Sequence, residues 1–237
     1  TLAFKRSDDL AQNQVFTGAG SINQLANSNL SLTTNFGSGT DPLTNFTGTL
    51  NINGGRLTLY SPSGWSYFYG SAININNAST LAISATNLNN VVWLKTTINF
   101  DANGGGSIFM PVAVSNVALG GTLTIKTNGG AQNRIYASSS GYYGLNLAGT
   151  GVLAIDTAAG SNTATGDLSI EVPMVNGGSI TKTGAGSVVL TNGLGSADFT
   201  QTPPTTTTIN AVTSPVIVAN QPSQLKANTQ TVDEDKP

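Results

Sequence analysis

The stretch Gly70-Ser-Ala-Ile73-Asn-Ile75-Asn-Asn-Ala-Ser-Thr-Leu81-Ala-Ile83 carries two short apolar-x-apolar doublets, Ile73/Ile75 and Leu81/Ile83, parted by a small polar run. Alternation of period two turns the apolar members to one side of a strand and the polar ones to the other. Both doublets recur. One series reads Leu50/Ile52, Ile73/Ile75, Ile98/Phe100, Leu123/Ile125, Leu145/Leu147, Leu168/Ile170 and Val188/Leu190, with members 20 to 25 residues apart. A second reads Leu57/Leu59, Leu81/Ile83, Ile108/Met110, Ile135, Leu153/Ile155 and Ile180, spaced 18 to 27. Two interleaved series with one mean period describe a stacked repeat. The expectation is an all-β, right-handed parallel β-helix with coils of about 23 residues, in which Ile75, Ile98 and Leu123 lie above one another. An antiparallel β-sandwich is the alternative, since it also places strands between Gly/Asn turns; the doublets are short for its strands of about five to six residues.

The 28 Gly, 32 Thr and 26 Asn fit this reading. Thr suits a pleated surface, and Gly and Asn suit corners that need positive φ. Asn at repeated corners is expected to form side-chain ladders. Residues 1–45 lack the rhythm and read as an irregular N-terminal cap, 46–198 as the β-helix, and 199–237 as a Thr/Pro-rich linker and extended tail with one strand candidate at Val216-Ile217-Val218. Ser7 to Val15 has room for one or two helical turns, and Asn87 to Lys95 reads as a short bulging loop. The N-terminus lacks a signal-peptide core, so a removed leader or an internal fragment is expected.

Charged residues are 8% of the chain, against about 25% in an ordinary domain. With a net charge of −2 there is no basic face for nucleic acid, and no apolar run reaches the ~18 residues of a membrane span. Cys and His are both absent. Disulfides, thiolate or imidazole metal sites and a Ser-His-Asp arrangement are thereby excluded, and no cofactor is expected.

Two groups of residues have chemical potential. Trp65, Tyr67, Phe68 and Tyr69 cluster in Ser61–Gly70, and Tyr142-Tyr143 stand in a similar loop. Exposed aromatics can stack on sugar rings or anchor a protein partner, and buried ones simply cover the rod. Trp93, within Val91-Val92-Trp93-Leu94, reads as buried. Asp156, Asp167 and Glu171 flank strand doublets, and adjacent coils would bring them together with Lys182 as an acidic cation or sugar site, or leave them as solvated strand ends.

The segment Gly178-Ser-Ile180-Thr-Lys182-Thr-Gly184-Ala-Gly186-Ser-Val188-Val-Leu190 resembles the autotransporter-associated β-strand repeat, or passenger-associated transport repeat, which reads approximately Gly-x-Leu-x-Lys-x-Gly-x-Gly-x-Leu-x-Leu. Weaker echoes, without the Lys-x-Gly-x-Gly part, lie at Gly54 to Leu59, Gly120 to Ile125 and Gly149 to Ile155. The resemblance implies a β-helical segment of a large exported bacterial protein, of the kind that serves in adhesion or as a surface stalk. The resulting expectation is a non-catalytic extracellular module at the bacterial cell surface, displaying loops or associating with copies of itself or with other surface proteins. The alternative is a β-helix that binds or cleaves polysaccharide.

Overall fold

A computed structural model describes residues 1–12, 16–33, 46–61, 65–85, 91–111, 116–138, 144–158, 167–172, 174–184, 186–191 and 216–219. Among them there are twenty strands and no helix. The chain climbs coil by coil. The first two coils hold β1 (Leu2–Phe4) and β2 (Leu10–Gln12), then β3 (Ser21–Gln24) and β4 (Asn29–Thr33). Among the described residues, each of the next coils has three strands: β5 (Thr49–Ile52), β6 (Arg56–Ser61) and β7 (Trp65–Phe68); β8 (Ala72–Ile75), β9 (Thr80–Ala85) and β10 (Val91–Leu94); β11 (Thr97–Phe100), β12 (Ser107–Met110) and β13 (Asn116–Leu119). Above these stand β14 (Thr122–Thr127), β15 (Asn133–Ala137), β16 (Gly144–Thr157), β17 (Leu168–Ile170), β18 (Met174–Thr183), β19 (Val188–Thr191) and β20 (Val216–Ala219).

Every strand pairing is parallel, which makes the chain a parallel β-helix. The second face runs β2-β4-β6-β9-β12-β15-β17-β19-β20. The first and third faces merge into one sheet, because β16 and β18 each run unbroken from the third face onto the first. Partners on the second face are typically 27 residues apart, as from Leu30 to Leu57 and from Ile108 to Ile135, somewhat more than the expected 23.

Alternation explains the core. In β5, β8 and β11 residues are half-buried and buried in turn. The inward residues stack by register into a column: Ile22, Leu50, Ile73, Ile98, Ile125 and Ile155. All are at most 2% exposed. On the second face Leu30, Leu57, Leu81, Ile108, Ile135 and Ile170 do the same. Each buried aliphatic contributes roughly 1.5–3 kcal/mol relative to exposure, so the columns, more than any single contact, hold the coils together.

Four expectations are corrected. Ile75 stacks on Phe100, and Ile98 on Ile73 and Ile125, so Leu123 stands one side-chain pair away from the column assigned to it; coil length varies, and the register moves with it. Within 1–45 the described strands β1 to β4 pair in register with one another and with β5 and β6, so the coils begin before residue 46. Leu10–Gln12 and Val91–Leu94 are strands, not a helical turn and a bulging loop. Within the tail, Val216–Ala219 adds a strand to β19; the Thr/Pro linker lies outside the described residues.

Amide ladders do form, and one rises from strand to strand up the first face, at strand positions and not at a corner. Asn51 Nδ2 donates to Asn23 Oδ1 (2.6 Å), Asn74 to Asn51 (2.7 Å) and Asn99 to Asn74 (2.8 Å), all on the outer side of the first face. A corner pair accompanies it, Asn76 Nδ2 donating to Asn53 Oδ1 at 2.9 Å. Asn74 sits mid-ladder and makes two of these bonds. Asn74→Ala is expected to cost about 1–2 kcal/mol in urea unfolding, and Ala72→Ser, beside it on the same strand, to cost under about 0.5 kcal/mol.

Candidate functional site

The third face gathers the aromatics. Register sets Tyr67 beside Trp93 and Trp93 beside Ala118, and sets Phe68 beside Leu94. Val92, Leu94, Val117 and Leu119 are buried inward residues, so Phe68 is one too, 1% exposed, with its ring 6.3 Å from Phe46. Phe68 is therefore a core residue and not a ligand contact. Tyr67 and Trp93 occupy the alternate positions and lie on the outer side, half-buried. Their rings are nearly parallel, at 16°, with centroids 6.2 Å apart, and Tyr69 meets Tyr67 edge-on at 5.7 Å.

Small residues make room for this strip. An added Cβ on Gly120 would come within 2.7 Å of the Tyr69 hydroxyl oxygen and 3.0 Å of its ring, so the Tyr69 side chain lies over Gly120. Ala118, next to Trp93, is fully covered although it stands on the outer side. Tyr69 keeps 36% of its surface exposed. Trp65 holds the register position opposite Val91. Tyr142 and Tyr143 lie outside the described residues. Trp93 was missed as a surface residue because Val91-Val92-Trp93-Leu94 reads as an unbroken apolar run. The usable signal was its separation of 26 residues from Tyr67, one coil length.

The charged group divides. Glu171 leaves it: its two carboxylate oxygens accept from Arg134 Nε and Nη2, both at 2.7 Å, and one accepts from the Ser169 hydroxyl at 3.1 Å. The Arg134 guanidinium also lies 4.5 Å over the Tyr136 ring, which stacks on Phe109 at 4.8 Å. The bonds from Arg134 hold the Glu171 carboxyl below the usual range against the opposing effect of burial. A depressed folded-state value means that this pair stabilises above the ordinary carboxylate range and fades as pH falls through the folded value. Lys182 Nζ donates to Gly184 O at 3.1 Å, and Asp167 Oδ2 accepts from Ser187 N–H at 2.7 Å. Among the described residues, no three acidic groups converge as a metal ion would require.

The aromatic strip offers apolar ring surface amid neutral polar groups, which suits stacking on a flat or ring-shaped ligand. Comparison with protein families, curated proteins and solved structures finds no match for this chain.

Proposed function

We propose that the chain is a structural or adhesive module of an extracellular bacterial surface protein, non-catalytic, which displays loops or associates with copies of itself into a fibre. The observation that carries this reading is the unbroken parallel ladder of the second face, from β2 to β20. Each layer presents the next with the same row of backbone donors and acceptors, the geometry by which such a stack lengthens. The polar side chains support it too, since Asn, Thr and Ser are spent on coil-to-coil bonds such as Thr49 Oγ1 to Ser71 Oγ (3.0 Å). The low charge, the absence of Cys and the transport-repeat resemblance support the surface location.

Electron microscopy and sedimentation across a concentration series test the reading. Linear, end-to-end particles with no reducing sugar released from a polysaccharide panel are expected. Release of sugar at a constant turnover would overturn it.

One observation favours a second reading, the outward pairing of Tyr67 with Trp93. In that reading the third face binds neutral glycan. Glycan-array binding that Trp93→Ala lowers at least tenfold, with unfolding shifted by less than about 1 kcal/mol, is its expected signature; binding that survives Trp93→Ala removes it.

A further inference from the structure

Five Asn-Gly dipeptides lie along the chain, beginning at Asn53, Asn103, Asn128, Asn176 and Asn192. An asparagine before glycine is open to attack on its own side chain. The next backbone nitrogen can reach the side-chain carbonyl carbon, because glycine has no side chain to obstruct the approach. Asn53, Asn103 and Asn128 stand at corners between the first and second faces, each just after a first-face strand.

Their surroundings differ. The Asn53 amide oxygen accepts from Asn76 Nδ2 at 2.9 Å. The Asn128 amide nitrogen donates to Phe100 O at 2.6 Å. Asn103 is exposed, and its amide faces a carboxylate, with Nδ2 3.5 Å from Asp101 Oδ2. The other carboxylate oxygen, Asp101 Oδ1, accepts from Gly104 N–H at 3.2 Å and from Asn103 N–H at 3.1 Å. Gly104 N–H is shared with Asp101 O, also at 3.2 Å. One side chain therefore touches both the attacking nitrogen and the nitrogen that must leave. It is fixed from the coil below, since Asn77 N–H donates to Asp101 Oδ2 at 2.8 Å.

We propose that Asn103 is a self-modifying residue, deamidated through a cyclic imide with Asp101 as general base, and that its conversion unlatches this corner from the coil above. Asp101 Oδ1 takes the Gly104 amide proton as the nitrogen attacks Asn103 Cγ, and the new C–N bond closes the imide ring. The Cγ–Nδ2 bond breaks. The proton passes from Asp101 to Nδ2, which leaves as ammonia. Water then opens either carbonyl of the imide and gives aspartate or isoaspartate. Water is the one co-reactant. A base within hydrogen-bond reach of the proton it removes contributes about 10²–10⁴-fold.

The product falls on a latch. Asn103 O accepts from Ala131 N–H at 2.8 Å, Gly105 N–H donates to Ala131 O at 3.1 Å, and Gly104 pairs with Ala131 as a parallel bridge. In isoaspartate the main chain runs through Cβ and Cγ, and the carbonyl that held Ala131 becomes a free carboxylate. The lengthened chain moves Gly104 where there is no slack, since even an added Cβ on it would lie 2.0 Å from Ala131 O. Either product also sets a second negative charge two residues from Asp101, where like charges repel. Ammonia is lost, so the change runs one way.

Peptide mapping by mass spectrometry of the whole chain, incubated at neutral pH in buffer and in urea, tests the proposal. In buffer Asn103 is expected to convert at least tenfold faster than Asn53 and Asn128. In urea the three are expected to convert within about threefold of one another, since all precede glycine. Asp101→Asn is expected to slow Asn103 at least tenfold in buffer and to leave Asn53 and Asn128 unchanged. The comparison of sites within the unaltered chain stands whether or not that variant folds. Hydrogen exchange of the Ala131 amide is expected to rise at least tenfold in the isoaspartate-bearing fraction. Conversion of Asn103 no faster than the other two in buffer, a lead that persists in urea, an unchanged rate in folded Asp101→Asn, or unchanged exchange at Ala131 each overturns the proposal.

Discussion

Replacing Phe100 with alanine is expected to lower the free energy of unfolding by about 3–5 kcal/mol, the usual cost of emptying a buried aromatic site. Phe100 is fully buried at the inner end of β11, stacked on Ile75. Gly106 packs so closely on the ring that an added Cβ there would be 2.7 Å from Phe100 Cδ1 and 2.9 Å from Ile75 Cγ2. The walls of the site are strands tied to both neighbours by backbone bonds, so they cannot collapse into the space. Loss of transfer energy and a standing cavity therefore add. Because each layer touches mainly the layers above and below it, hydrogen exchange should rise first in β8, β11 and β14. Phe100→Leu, which refills most of the volume, is expected to cost about 1–1.5 kcal/mol. A change under about 1 kcal/mol for Phe100→Ala in urea unfolding would show that this layer is not close-packed.

Gly104→Ala is expected to cost about 2–5 kcal/mol, through two separate terms. Gly104 sits at φ +67°, where a side chain pays about 1–2 kcal/mol. The new Cβ would also lie 2.0 Å from Ala131 O and 2.5 Å from Ala131 N. Those atoms cannot retreat, since Ala131 N–H donates to Asn103 O at 2.8 Å and Ala131 O accepts from Gly105 N–H at 3.1 Å. Overpacking of this kind costs about 1–3 kcal/mol. Gly18 and Gly20 separate the terms. Gly18 has φ +85° and open space around its missing Cβ, and Gly20 has the space without the positive φ. Gly18→Ala should cost about 1 kcal/mol and Gly20→Ala close to nothing. Thermal unfolding of the three variants checks the series, and equal losses in Gly18→Ala and Gly104→Ala would dismiss the steric term.

The lower coils were readable because period-two alternation is a local signal: Ile73 and Ile98, or Leu57 and Leu81, announce their own strands and their repeat. The third face was hidden. Trp93 puts an aromatic where the rule expects a polar residue, so Val91–Leu94 loses its alternation on paper while keeping it in space. Beyond Leu145 the two series exchanged faces. Gly149-Thr150-Gly151 reads as a corner, yet β16 passes through it, so Leu145 belongs to the third face, Leu153 and Ile155 to the first, and Leu168 and Ile170 to the second. Of the candidate site, Tyr67 and Tyr69 could be found from composition, whereas the burial of Phe68 needed the strand register. Glu171 escaped because Arg134 lies 37 residues away, longer than one mean period.

The asparagine ladder has a sense as well as a length. In each of its three bonds the nitrogen belongs to the later coil and the oxygen to the earlier one, so the amide dipoles point the same way and reinforce one another instead of cancelling. The row is a small polarised wire along the rod, with its oxygens turned toward the higher coils. On the next rung after Asn99 the register places Lys126, a cation at the electronegative end.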